Sequence, residues 1–275
     1  YTADKIPDQT GKTVIVTGGN TGIGYETALQ IALHGAKVYI AARSESRAQG
    51  AIEKIRAQKP SGSVEWLKLD LQDLASVQAA AKAFSSKESK LDVLYNNAGI
   101  MASPYQLTKD GIESQFQTNH IGPFLFTNLL LPKLKQSTDA RIVVTSSSAH
   151  SMYTANEDSY TSLEEVNSQH GSTWTRYGQS KLANVLFAME LANKFPDIKT
   201  NACHPGVINT ELSRGPGASY GKVVQKVMEG TMWFGSSALG AVLSPPQGAL
   251  TQLFLGTALE VKSQSISGKY YQPIA

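Results

Sequence analysis

KTVIVTGGNTGIG, Lys12 to Gly24, is the stretch that decides the fold of this chain. Lys12 to Thr17 is a short apolar run rich in β-branched residues and without a helical period, which reads as a buried strand. Gly18, Gly22 and Gly24 follow at the junction with a helix. Glycine lets the backbone take positive φ there, and its missing side chain lets a ligand come close. The next helix would aim its free N–H groups and positive dipole end at the same spot, so a pyrophosphate fits. The competing reading is an ordinary glycine-rich turn with no ligand.

The spacing is T-G-x-x-x-G-x-G, which differs from the common G-x-G-x-x-G fingerprint. Gly22 and Gly24 allow the close approach and Gly18 the tight turn, while Thr17 and Asn20 are expected to stiffen the loop with side-chain hydrogen bonds.

Outward from this unit, strand-like and helix-like runs alternate. Strands are predicted at Thr13–Thr17, Lys37–Ala41, Val64–Leu69, Val93–Asn96, Arg141–Ser146, Thr200–Cys203 and Lys269–Tyr271. Helices are predicted near 23–34, 45–58, 74–86, 110–135 and 178–194, the first closed by Gly35 and the last by Pro196. That rhythm predicts a single-domain α/β Rossmann fold over 1–275, a doubly wound parallel sheet of about seven strands with helices on both faces. Two stretches break it: an insertion at about 148–175 and a segment at about 208–246 that reads as a substrate loop or lid.

The 275 residues include one cysteine, Cys203, and five scattered histidines, which leaves no intrachain disulfide and no metal site to expect. A net charge of +3 without a basic run is no nucleic-acid footprint. The best apolar window, Ile121 to Leu131, is short and broken by Pro123 and Asn128, so no membrane span is expected and the reading is soluble and cytoplasmic. The chain opens on Tyr1 without a methionine, which leaves an upstream segment and targeting open.

Tyr177 and Lys181 stand four apart on the last long helix and share one face. An ammonium beside a phenol lowers the phenol pKa, and such a phenol can exchange a proton with a substrate oxygen. Y-x-x-x-K also occurs at Tyr1/Lys5 and Tyr105/Lys109, the latter in a loop before a predicted helix start at Thr108. Read alone, Tyr177/Lys181 is equally well a surface pair. Ser146, Ser147 and Ser148 end the fifth strand, where a hydroxyl can hold a carbonyl or simply close a turn. NNAG, Asn96 to Gly99, suits a flat ligand or a plain turn. Asn119 would lie mid-helix, a poor place for asparagine.

The order TGGNTGIG, NNAG, Asn119, RIVVTSSS, Tyr177-x-x-x-Lys181 and HPG (His204–Gly206) resembles the short-chain dehydrogenase/reductase family from Lys12 to Tyr271. RIVVTSSSAH, YGQSKLANVLFAMELA, HPGVINTEL and SGKYYQP resemble its retinol-dehydrogenase-like and carbonyl-reductase-like branch. The resemblance implies a catalytic set of Asn119, Ser147, Tyr177 and Lys181. Tyr177 would be the general acid or base, Lys181 would bind the nicotinamide ribose and lower the Tyr177 pKa, Ser147 would orient the substrate oxygen, and Asn119 would hold a relay water. It also implies that Gly18, Asn20, Thr21, Gly22, Ile23 and Gly24 cradle the cofactor. Asp70 and Leu71 would meet the adenine and Asn97, Ala98 and Gly99 would flank the cofactor. Pro205, Gly206, Val207 and Thr210 would lie at the nicotinamide end, and Tyr177 and Lys181 would also touch the cofactor.

An NAD-selective carboxylate is expected at the end of the second strand, but that position is Ala42, followed by Arg43 and Ser44. Arg43 can pair with a 2′-phosphate, so the expected cofactor is NADP(H). Thirty positions separate Ser147 from Tyr177, more than is common in the family. The insertion could line the substrate entrance or cover the helices that many relatives use to assemble, so the chain is expected to be a monomer or homodimer. Met101, Tyr153, Met228, Met232, Trp233 and Phe234 suggest an apolar substrate pocket or are plain core. The leading expectation is an NADPH-dependent reductase interconverting an aldehyde or ketone with its alcohol on a small molecule. The alternatives are an NADP(H)-binding redox sensor without turnover, and the same fold catalysing enoyl reduction or epimerisation.

Overall fold

A computed structural model describes residues 1–168, 171–208, 219 and 242–273. The first strand, β1 (Thr13–Thr17), is buried at every position. Its side chains alternate between two cores: Val14 and Val16 face one, Ile15 the other. The strands that join it are β2 (Lys37–Ala42), β3 (Ser63–Lys68), β4 (Val93–Asn96), β5 (Arg141–Thr145), β6 (Lys199–Cys203) and β9 (Tyr270–Tyr271). They form a seven-stranded sheet in the order β3-β2-β1-β4-β5-β6-β9, with every neighbouring pair parallel. A second, two-stranded sheet pairs β7 (Val207–Ile208) with β8 (Val242–Leu243).

Both faces of the large sheet are covered, as a parallel sheet requires. On one side pack α1 (Gly22–Leu33), α2 (Glu45–Ala57) and α8 (Pro245–Thr257). On the other pack α3 (Leu74–Lys87), α5 (Gly122–Leu134) and α7 (Thr173–Lys194). The chain runs outward from β1 through β2 to β3 and then returns to the opposite side of β1 for β4. This reversal opens a crevice at the carboxyl ends of β1 and β4, where open α/β sheets bind ligands.

Three local expectations are corrected. The predicted helix over 110–135 begins only at α4 (Ser114–Phe116), because Gly111 N bonds Thr108 O in a turn and Leu107 bridges Glu113; no helix starts at Thr108. Glu113 then caps α4, its carboxylate accepting from Phe116 N at 2.8 Å. Between α4 and α5 the chain widens into a π-helical turn, Gln117–Ile121. Last, α7 starts at Thr173 rather than 178, with Ser172 Oγ accepting from Thr175 N.

The insertion is a structured element. It contains a 3₁₀ turn, Ser148–Met152, and α6 (Leu163–Asn167). Tyr153 is buried inside it and donates to Glu165 Oε1 at 2.9 Å, while Tyr160 N donates to Glu165 Oε2 at 2.8 Å. Tyr153 is therefore part of the insertion's own core. Asn167 ties the insertion to the loop after β4: it donates to Gly111 O, accepts from Glu113 N, and its carbonyl accepts from Tyr105 Oη.

Candidate functional site

Gly18 sits at φ +66° and Gly22 at +55°, both in the left-handed region. Gly24 answers a different constraint. A Cβ there would lie 2.4 Å from Gly18 O and 2.5 Å from Asn97 Nδ2, so the first turn of α1 lies directly on the glycine turn. Thr21 is the N-cap of α1, yet its side chain makes no capping bond. A helix start without a side-chain cap, beside glycines that let a ligand approach, fits a pyrophosphate. Thr17 fastens the turn to β4: its Oγ1 donates to Tyr95 O and accepts from Asn97 N at 2.9 Å and Ala98 N at 3.0 Å. Asn97 Nδ2 returns a bond to Thr17 O at 2.8 Å, and Asn97 Oδ1 is buried without a hydrogen-bond partner. Asn20 and Thr21 are half-buried in the turn and Ile23 is buried.

Farther along the carboxyl edge, Arg43 is exposed after β2, and the neighbouring Ser44 caps α2. Asp70 is half-buried after β3, its Oδ1 accepting from Gln72 N, and Leu71 is buried. After β6, Pro205 and Gly206 are half-buried and Val207 is exposed. Thr210, Met228, Met232, Trp233 and Phe234 lie outside the described residues, as does most of the expected lid. Among the described residues no group of His, Cys, Asp and Glu could hold a metal, and no helix is long and apolar enough to cross a membrane.

Of the three serines ending β5, Ser146 is buried and donates to Lys181 O at 2.7 Å, and Ser148 is exposed. Ser147 stands between them, with its hydroxyl close enough to Tyr177 to lower the phenol. Its Oγ also accepts from Ala149 N, and its carbonyl accepts from His150 Nδ1 at 2.7 Å. Tyr177 and Lys181 are both buried, so they are no surface pair. Burial pushes the Tyr177 phenol up to about 12, and the Ser147 hydroxyl only partly offsets this. Burial likewise pushes the Lys181 ammonium down to about 8. Lys181 Nζ donates to Thr145 O at 2.9 Å and lies 5.6 Å from the centre of the Tyr177 ring. Desolvation raises the phenol, and the group that lowers it is Ser147 rather than the Lys181 expected from the Y-x-x-x-K spacing.

The π-helical turn explains Asn119. The widened turn directs its amide at the backbone of Ile100, where Oδ1 accepts from Ile100 N at 2.8 Å and Nδ2 donates to Ile100 O at 2.9 Å. The same Nδ2 donates to Ser180 Oγ at 2.9 Å. A Cβ on Gly99 would lie 3.1 Å from Asn119 Oδ1 and 3.4 Å from Lys181 Nζ, so the NNAG stretch, Asn119 and Lys181 converge. Two buried groups at this centre were missed by sequence reasoning, Ser180 and Asn184. Asn184 was findable, because it lies one helical turn beyond Lys181 on the same face.

Residues 12–163 match the family model described as short chain dehydrogenase. This chain belongs to the short-chain dehydrogenase/reductase family. Members of this oxidoreductase family use a nicotinamide cofactor, and within the family the chain falls in the retinol-dehydrogenase-like branch. It is 40% identical to retinol dehydrogenase 12 of Mus musculus, over 95% of this chain and 77% of that protein. It is also 40% identical to an uncharacterized oxidoreductase of Schizosaccharomyces pombe, over 100% of this chain and 80% of the relative. The complex of Pseudomonas aeruginosa RhlG with NADP shares this fold, at TM-score 0.74 and 22% identity, covering 97% of this chain and 96% of that one.

Proposed function

We propose that this protein is an NADPH-dependent reductase that interconverts an aldehyde or ketone with its alcohol on an apolar small molecule. The observation that carries this reading is the convergence of Ser147, Tyr177, Lys181 and Asn119 at the sheet's carboxyl edge, beside the NNAG stretch that the glycine turn holds through Thr17 and Asn97. When bound, NADP(H) supplies or accepts the hydride. Ser147 and the Tyr177 phenol hydrogen-bond the substrate oxygen and so orient the carbonyl. Tyr177 gives its proton to that oxygen in reduction and takes it back in oxidation. A phenol pushed up to about 12 stays protonated at neutral pH, ready to act as the acid. Lys181 binds the ribose hydroxyls and, as an ammonium, stabilises the phenolate that proton transfer leaves. Asn119, locked on Ile100, holds the approach to Lys181 in place. Arg43 takes the 2′-phosphate, in a strand end where Ala42 stands in place of an acid.

The test is NADPH oxidation followed at 340 nm against aldehydes, diketones, quinones and cyclic ketones, with NADH in parallel. Turnover should require NADPH and vanish in Tyr177→Phe, while that variant still binds NADPH. Arg43→Ala should raise the NADPH dissociation constant far more than the NADH one, and equal losses would overturn the 2′-phosphate assignment. Tight NADPH binding by the wild type with no turnover on any carbonyl would refute the reductase reading and mark a sensor.

A further inference from the structure

The π-helical turn presents two successive side chains to α7. Asn119 donates to Ser180, and His120 Nδ1 lies 3.1 Å from Asn184 Oδ1. Lys181 stands between these two attachment points. Asn184 is buried, at 3% exposure, and its Nδ2 donates to Thr145 O at 3.2 Å. That carbonyl is the one holding the Lys181 ammonium at 2.9 Å.

The polarity of the chain follows from donor and acceptor chemistry. A carbonyl only accepts, so Asn184 must turn its Nδ2 toward Thr145 and its Oδ1 toward His120. His120 must then carry a proton on Nδ1 in order to donate. Burial pushes His120 down to about 4, so the ring is neutral near pH 7 and its tautomer is set by Asn184. The result is a directed series in which Nδ1–H of His120 meets Oδ1 of Asn184, and Nδ2–H of Asn184 meets the Thr145 carbonyl.

We propose that Asn184, oriented by His120, is a positioning residue for Lys181, sharing the Thr145 carbonyl with the ammonium and limiting how strongly that oxygen holds the lysine proton. The inference rests on the catalytic reading above and adds a regulator of Lys181 to it. A second donor on one oxygen weakens the first, and donation from His120 polarises the Asn184 amide and strengthens its claim. Among the described residues, three other titratable groups face Lys181. They are Tyr177 on its own helix, Cys203 on β6 with its thiol pushed up to about 12 by burial, and His204 just beyond β6, which burial pushes down. No carboxylate is among them. Strand β5 offers Lys181 the Thr145 carbonyl, so the number of donors on that oxygen bears directly on the ammonium. Around His120 the packed rings are Phe116, Phe124 and Phe187, none of which titrates.

The experiment is an NMR titration of the Lys181 Cε and Hε resonances in lysine-labelled protein, assigned by their loss in Lys181→Arg. Asn184→Leu keeps the volume of the side chain and removes the competing donor. The Lys181 midpoint should rise by about half a unit, a threefold gain in proton affinity. His120→Phe keeps an aromatic ring in place and leaves Asn184 unpolarised, and it should move the midpoint the same way by less. It also serves as the second variant if Asn184→Leu does not fold. An unchanged or lowered midpoint in the folded variants overturns the proposal. The alkaline limb of the turnover profile should follow the NMR midpoint. Because the titration needs no substrate, a wild type without reductase activity defeats the functional reading and leaves this result standing or falling separately.

Discussion

Replacing Gly24 by alanine should damage the proposed cofactor cradle and the fold together. The new Cβ would sit 2.4 Å from Gly18 O and 2.5 Å from Asn97 Nδ2, so the glycine turn must retreat by ~0.6 Å or more to reach a normal contact. Neither neighbour yields easily. Gly18 O is backbone, and the Asn97 amide is held by Thr17 O at 2.8 Å. Overpacking of this kind costs about 1–3 kcal/mol. Loss of the Asn97 bond adds about 1 kcal/mol. For a chain of this length each kcal/mol lowers Tm by about 2 °C, so a fall of about 4–8 °C is expected. NADPH affinity, measured by quenching of protein fluorescence, should drop at least about tenfold as the helix start moves off the turn. Gly50 supplies the control, since it lies within α2 and a Cβ there meets nothing within 4 Å. Gly50→Ala should raise stability by about 0.5–1 kcal/mol and leave NADPH binding unchanged. If Gly24→Ala behaves like Gly50→Ala, the close contact between helix and turn is not what shapes the site.

Acid should destabilise the protein through His120. Its folded value is about 4 against 6.5 for the free side chain, so the unfolded chain takes up a proton first and stability is lost as pH falls from 6.5 toward about 4. Full burial would make this ~3 kcal/mol. His120 as a residue is only half-buried, so solvent screening reduces this to about 1–2 kcal/mol, readable as a fall in urea midpoint between pH 7 and 4.5 that His120→Phe should diminish. The buried pair Glu113–Arg176, at 1% and 5% side-chain exposure, gives a larger effect. Glu113→Ala strands the guanidinium and removes the cap on Phe116 N, so unfolding free energy should fall by about 3–5 kcal/mol, while replacing both partners by leucine and methionine should recover much of it. A urea midpoint unchanged in the single variant would show that the pair carries no net energy.

The sheet was legible because its central strands are buried on both faces and therefore spell short β-branched runs, TVIVT and RIVVT among them. The site was legible where spacing alone sets geometry, as in the four-residue step from Tyr177 to Lys181. Three things were not. The π-helical turn at 117–121 exists because the Asn119 amide must reach Ile100 and Ser180, and those partners are distant in sequence. The proton balance of the pair depends on burial, which spacing does not encode: desolvation raises the phenol and lowers the ammonium. The early start of α7 was hidden for a simpler reason: Thr173, Trp174 and Thr175 have low helix propensity, and Ser172 overrides it as a cap.

The insertion at 148–168 has a consequence for how such chains diversify. Its polar groups are satisfied largely within it, through Tyr153, Asn156, Ser159 and Glu165, and Asn167 rivets its far end to the loop at 105–113. The segment is also seated on its surroundings: Tyr160 and Val166 pack with Phe116 and Ala183, Tyr160 Oη donates to Gln179 O, and Ala149 lies closely over Gly178. An exchanged segment would have to keep this seat on α4 and α7 as well as the asparagine at the rivet. Because it leaves the sheet directly after Ser147 and returns just before Tyr177, each exchange would remodel the approach to the same chemical centre while the chemistry stayed constant.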